Sequence, residues 1–267
     1  MEDEHDPGDV PWRRVALVGV LAGFTSGLFG VGGGIVIVPA LGYLARFPHK
    51  LAIGTSLSAI VPISLAGVAG YALGDEVDWA AAALVALGAL GGAVLGTHLL
   101  VRLSGPLLQV LFAGAMVATA VRMLVETGDG AGRPGLDLPM AAGLVALGLA
   151  SGVLAGLLGV GGGIVIVPVL TIAFGVPHVL AKGTSLAVIL PTAVMGTVRN
   201  RRSQLTALRP AAVVGLAGVG SALAASQLSL GLDPGVSQGL FAALLVVVAV
   251  RLGRRGWRDL RRERPGP

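Results

Sequence analysis

Cysteine is absent from all 267 residues, which excludes disulfides, cysteine-based zinc sites and thiol catalysis. Charge is scarce as well: Asp, Glu, Lys and Arg make up 12% of the chain against 54% apolar residues, and the mean hydropathy is +0.86. A water-soluble domain of this length cannot cover its surface with so little charge, so lipid must surround most of the protein. No Asp or Glu falls inside any of the long apolar segments. Proton-driven carriers commonly hold a carboxylate at membrane depth. Any ion coupling here must therefore use histidine, backbone and hydroxyl oxygens, or the protonation of the substrate itself. Paired carboxylates, a His-metal cluster and a Ser-His-Asp set are also missing at membrane depth, which argues against an enzyme. No cofactor and no metal are expected.

What the chain has in excess is glycine, 43 residues of it. Small residues let helices approach closely where burial from water gives no driving force. The string GVGGGIVIVP occurs twice, at Gly30 to Pro39 and at Gly159 to Pro168. The offset of 129 positions between these copies holds without a gap well beyond the string. Gly19, Gly23 and Gly27 map onto Gly148, Gly152 and Gly156, and Gly54-Thr55-Ser56 onto Gly183-Thr184-Ser185. Pro62 meets Pro191, Gln109 meets Gln238, and Phe112 meets Phe241. A duplicated half with a glycine-broken apolar segment in each copy is the pattern of a secondary transporter.

Charges delimit about eight apolar segments, and a spanning helix needs about 20 residues. The expected fold is an all-α polytopic membrane protein of two homologous four-segment halves. Residues 1–14 read as a cytoplasmic tail, 15–125 as the first half, 126–137 as a Gly/Pro-rich charged linker, 138–252 as the second half and 253–267 as a basic tail. The first segment of each half is too long for one crossing, since Val15 to Ala45 as a single helix would extend roughly 46 Å. Three consecutive glycines cost roughly 1 kcal/mol each in a helix interior, so Gly32-Gly33-Gly34 must interrupt it. Two half-helices result, near Val15 to Phe29 and Gly34 to Ala45. They either continue as a broken span, giving parallel halves, or fold back as a re-entrant hairpin, giving inverted halves. Both arrangements satisfy the positive-inside trend, so the charges leave the topology open.

A helix broken inside lipid exposes backbone groups that cost several kcal/mol each unless protein or water satisfies them. Two such breaks predict a polar cavity between the halves. A half-helix starting near Gly34 or Gly163 presents free N–H groups and the positive dipole end, which favours an anion. Gly30, Gly32, Gly33 and Gly34, with Gly159, Gly161, Gly162 and Gly163, are thus the candidate substrate-binding residues, and pure packing is the alternative. Pro39 and Pro168 are read as structural helix-break positions. Gly19, Gly23 and Gly27 with their copies read as close-packing faces. Thr55, Ser56, Thr184 and Ser185 offer hydroxyls to an oxyanion or cation, or bond back to their own helix. Lys182, opposite Ile53 in the repeat, reads as a lysine snorkelling to the interface rather than as a charge for a bound anion. His49, His98 and His178 read as interfacial, and Gln109 and Gln238 as interhelical hydrogen-bonding positions. The glycine string is neither a Walker loop nor G-x-G-x-x-G, so nucleotide binding is not expected.

The net charge is +5, but seven of the nineteen basic residues cluster in the tail from Arg251 to Arg264. That placement reads as a cytoplasmic anchor against anionic lipid in the cell membrane, not as a nucleic-acid surface. The first apolar run is far longer than a signal-peptide core and is repeated internally, so it is read as part of the mature fold.

The doubled G-x-x-x-G-x-x-G-V-G-G-G-x-x-x-V-P, at Gly23 to Pro39 and Gly152 to Pro168, with its downstream G-T-S, resembles the sulfite exporter TauE/SafE family, also called the toluenesulfonate uptake permease family. The resemblance covers Val15 to Leu252 and implies a small multi-pass permease with two related halves. It further implies sulfite, sulfonates or other sulfur-containing organic anions as substrates, bound near the bilayer midplane. The alternative function is a non-transporting membrane scaffold or subunit, for which no internal site is needed. Partners are then a small anionic substrate and the lipid bilayer. The coupling ion, the oligomeric state and the direction of transport stay open.

Overall fold

The computed structural model describes residues 12–44, 47–99, 110, 113–114, 116–122, 135, 137–158, 162–202 and 206–263. Among them the chain forms helices and no strand. In chain order these are α1 (Trp12–Phe29), α2 (Gly34–Leu44), α3 (His49–Leu73), α4 (Trp79–Leu99), α5 (Leu138–Leu158), α6 (Gly163–Ala173), α7 (His178–Arg202), α8 (Leu208–Leu230) and α9 (Pro234–Glu263). A further helical stretch covers 116–122. Most of the expected segment Leu103 to Val121 and of the linker lies outside the described residues.

Four helices contain runs long and apolar enough to cross a membrane, over Leu51–Leu73, His178–Arg201, Leu208–Leu230 and Pro234–Arg254. The segment Gly183 to Val198, short by itself, reaches crossing length because α7 also takes in its flanking residues. Large apolar side chains face outward along several helices, among them Leu17, Leu21, Leu65, Leu87, Leu216 and Val247. Exposed apolar surface of that extent suits lipid, not water.

Glycine faces set the helix pairs. A Cβ at Gly19, Gly23 or Gly27 of α1 would lie 2.2, 2.1 and 2.2 Å from the carbonyl oxygens of Val214, Gly218 and Ala222 in α8. No side chain fits there, so the two backbones touch and run parallel. Gly148 and Gly152 of α5 meet Val85 and Ala89 of α4 in the same way, each at 2.1 Å. These four partners are themselves 129 positions apart. Hydroxyl and amide bonds reinforce the seams, with Ser221 donating to the Val20 carbonyl at 2.8 Å and Gln227 to the Gly70 carbonyl at 2.7 Å.

Helix direction decides the question the charges left open. Gly67 of α3 packs on Leu186 of α7, and Gly196 of α7 on Leu57 of α3, so the two helices are antiparallel. Helix α4 starts at α7's start and α8 at α3's start, tied there by threonine bonds, so α4 and α8 begin at opposite ends. Helices α3 and α7, and likewise α4 and α8, each pair related by the 129-residue offset, therefore run in opposite directions. The chain also turns back at each glycine run. A Cβ at Gly33 would lie 2.7 Å from the Ala22 carbonyl oxygen, and one at Gly162 would lie 3.3 Å from that of Ser151. Accordingly Ile37 and Leu41 of α2 share a buried cluster with Val15, Val18 and Ala22 of α1. The re-entrant hairpin is the arrangement adopted.

Pro39 and Pro168 do not end helices. They lie inside α2 and α6, whose interruptions fall before Gly34 and Gly163. Midway along each helix the proline forfeits the bond to one carbonyl, of Ile35 or Ile164, and the helix continues past it.

Charges sort by end. Arg13, Arg14, Arg199, Arg201 and Arg209 sit where α1 and α8 begin and α7 finishes. Asp78, Asp137 and Asp233 sit at the other, where they cap helix starts. Asp78 accepts from Ala80 and Ala81, Asp137 from Met140, and Asp233 from Gly235 and Val236. A carboxylate at a helix N-cap satisfies orphan donors and complements the dipole.

Candidate functional site

The start of α6 meets the first glycine turn. A Cβ on Gly163, the first residue of α6, would lie 2.7 Å from the Gly30 carbonyl oxygen and 2.9 Å from the Val31 Cα. The start of one half-helix is thus pressed against the turn that precedes the other. Gly30, Gly32, Gly33 and Gly162 adopt φ of 72°, 78°, 76° and 74°. That left-handed region penalises any residue with a Cβ by roughly 1–2 kcal/mol. At Gly32 the constraint is conformational, because its nearest neighbours are the side chains of Ile189 and Ile60. These two isoleucines are offset by 129 and both are fully buried.

The first intrahelical bonds set which donors are left over. Val36 and Ile37 donate to the Gly33 carbonyl, and Val165 and Ile166 to that of Gly162. The N–H groups of Gly34 and Ile35, and of Gly163 and Ile164, precede those bonds at the two inward-pointing helix starts. Gly159 and Gly161 lie outside the described residues.

The carbonyl end of α1 is also buried, and hydroxyls from three helices satisfy it. Tyr71 of α3 donates to Gly27 at 2.7 Å, Ser229 of α8 to Leu28 at 3.3 Å, and Ser185 of α7 to Gly30 at 2.8 Å. These bonds satisfy the carbonyl end of α1 within the protein. The backbone needs partners, and side-chain hydroxyls supply them as well as water does. In the described conformation the turns are closed on each other.

The G-T-S residues divide by role. Thr55 accepts the N–H of Ala207, and Thr184 accepts that of Asp78, each at 3.0 Å. The acceptor and donor positions are both 129 apart. Each threonine ties the start of α8 or α4 to another helix, a role that neither of the two sequence-based alternatives anticipated. Ser185 reaches the first glycine turn, as above. Ser56 is fully buried and its hydroxyl has no partner.

Sequence reasoning missed a polar cluster beside the first turn. Lys182 does not snorkel: it is fully buried, and its ammonium donates to Ser229 at 3.0 Å and to Ser237. Its direction follows from its place on α7, which points the side chain at the α8–α9 corner rather than along the helix to the interface. His178 is not interfacial either. It is 4% exposed, with its ring edge-on to Phe241 at 5.3 Å. Ser237 and Gln238 are buried alongside. The side chains of His49 and His98, and Gln109, lie outside what is described. The available pointer was asymmetry, since from Pro177 to Ser185 the repeat departs from Pro48 to Ser56 only at Val179 and Lys182. A separate open groove of about 620 Å³, lined by Gly253, Arg254, Trp257 and Arg258, lies on the tail of α9 and is remote from these groups.

The sulfite exporter TauE/SafE family profile matches residues 2–123 and 144–267. The chain belongs to this family. A probable membrane transporter protein of Xylella fastidiosa (strain 9a5c) is 31% identical over 250 residues, covering 91% of this chain and 95% of the relative. The probable membrane transporter protein YunE of Bacillus subtilis (strain 168) is 27% identical, covering 70% of this chain and 77% of the relative. A probable membrane transporter protein of Haemophilus influenzae is 33% identical across 63% of this chain and 66% of its own length. No solved structure matches. Membership in TauE/SafE makes the chain a membrane transporter with apolar helices embedded in lipid.

Proposed function

We propose that the chain is a secondary permease for small anions, sulfite, sulfonates or related sulfur-containing organic anions, bound between the two glycine hairpins near the bilayer midplane. The observation that supports the reading is the meeting of the α6 start with the turn that leads into α2, Gly163 lying within van der Waals reach of Gly30 and Val31. Two positive dipole ends aimed at one place favour negative charge there. Gly30, Gly32, Gly33, Gly34, Gly162 and Gly163 let a solute approach backbone donors, and Ser56 contributes an unengaged hydroxyl. Residues 15–125 and 138–252 act as the two moving halves, rocking to open the closed turns first to one side and then to the other. The end that carries Arg13, Arg14, Arg199, Arg201 and Arg209 faces the cytoplasm, as the positive-inside trend requires in a cell membrane. Helix α9 returns the basic tail to the same side.

Flux into proteoliposomes tests the reading directly. Labelled sulfite and sulfoacetate are expected to enter saturably and to compete with each other, and sulfate and taurine map the tolerance of the site. Gly163→Ala is expected to lower that flux about tenfold or more while the protein still elutes as a folded species. Uptake of all four no faster than in empty vesicles would defeat the permease reading and favour a membrane scaffold.

A further inference from the structure

We infer that a second, asymmetric anion subsite lies at the corner of α1, α7, α8 and α9, with the Lys182 ammonium as its charged contact and His178, Ser229 and Ser237 around it. The inference rests on the anion-permease reading and names the group that balances the solute's charge.

Lys182 is fully buried, and its two hydrogen-bond partners, Ser229 and Ser237, are neutral hydroxyls. A third ammonium N–H is left over. A buried ammonium is costly unless charge opposes it. Part of that opposition comes from the end of α1, because Ser229 donates its own O–H to the Leu28 carbonyl. A helix C-terminus supplies only about half a negative charge, less than the full charge of an ammonium. One turn earlier on α7, both ring nitrogens of His178 are buried without a partner among the described residues. Buried polar atoms without partners are uncommon in folded proteins and invite an explanation. An oxyanion beside Lys182 meets both needs, taking the residual charge and the unused donors.

The location suits a solute on its way to the glycine turns. The Lys182 Cα would sit 2.7 Å from a Cβ on Gly30, so this residue is a wall of the first turn. Nor does the fold itself demand a lysine. The equivalent position in the other half holds Ile53, and α3 forms the same helix there. The subsite therefore belongs to one end of the pathway only, the end where Asp78, Asp137 and Asp233 cap helices.

Thermal unfolding of the purified full chain, titrated with sulfite, methanesulfonate, acetate or chloride, reads the subsite. Sulfite is expected to raise Tm saturably in the wild type, and chloride to do so weakly. Lys182→Gln should shift the sulfite midpoint at least tenfold upward, while Lys182→Arg stays within about threefold. If the lysine serves only to cap α1, Lys182→Gln lowers the anion-free Tm and leaves the midpoint where it was, which overturns the inference. Should that variant not fold, Ser237→Ala and His178→Ala replace it. Each is expected to weaken the midpoint about threefold, and two unchanged midpoints overturn the inference equally. A wild type that moves none of these anions into vesicles defeats the parent reading. One that moves sulfite while Lys182→Gln binds normally defeats the subsite alone.

Discussion

The hairpin α1–α2 and its counterpart α5–α6 are seated by the same backbone contacts yet surrounded by different side chains. Gly23 on Gly218 repeats as Gly152 on Ala89, and Thr55 on Ala207 repeats as Thr184 on Asp78. Around the turns the match ends. Ser185 bonds the Gly30 carbonyl, whereas Ser56 has no partner among the described residues, and Lys182 stands where the other half has Ile53. Positions that hold the fold are duplicated because both halves must close onto each other. Positions that differ are released from that duty, and function is more readily sought among them.

The largest effect should come from filling the repeated seams. Gly23→Ala and Gly152→Ala each drive a methyl into a backbone carbonyl at 2.1 Å, with helix on both sides and no flexible side chain to yield. Each is expected to destabilise by about 3 kcal/mol, the upper range of overpacking costs. Thermal or denaturant unfolding in detergent measures the loss. Similar losses at the two positions support the duplicated seam, while a loss at one alone would break the comparison.

Next in size is the threonine pair. Thr55→Val and Thr184→Val preserve shape and remove the acceptor for one helix-start N–H. Each is expected to cost about 1 kcal/mol, as lost caps do, and equally, with little change in anion affinity. A large fall in affinity at constant stability would instead make the hydroxyls solute ligands.

How far the sequence reveals this arrangement depends on which contacts are local. The end of α1 at Phe29 and the start of α2 at Gly34 follow from consecutive glycines, a local preference. The packing face of Gly19, Gly23 and Gly27 follows from their spacing of four. Its partner does not: nothing within α1 says that α8, from the other half, lies against it. The fold-back at Gly33 was equally illegible, since hairpin and broken span share one hydropathy profile and satisfy the same charge rule. Lys182 misled for the opposite reason. A lysine four residues inside a helix usually reaches the interface, and only the tertiary position of Ser229 and Ser237 shows this one turned inward. Thr55 and Thr184 were visible as a repeated motif, but their role depends on which loop lies opposite.

The smallest effect, at Ser56, set against its counterpart Ser185, is the sharpest test of the difference between the halves. Ser185→Ala removes the only hydroxyl shown on the Gly30 carbonyl and leaves a buried acceptor unpaired, at a cost of about 1–3 kcal/mol. Ser56→Ala removes a hydroxyl that is itself buried and unpaired, so nothing loses a partner. Deleting such a group is expected to leave stability within about 0.5 kcal/mol of wild type, or to raise it slightly. If Ser56 serves the solute, the same variant should still weaken sulfite uptake severalfold. Stability and flux would then separate at Ser56, while at Ser185 they fall together. A loss of stability at Ser56 equal to that at Ser185 would mean that its hydroxyl bonds protein after all, making the second turn as firmly tied as the first.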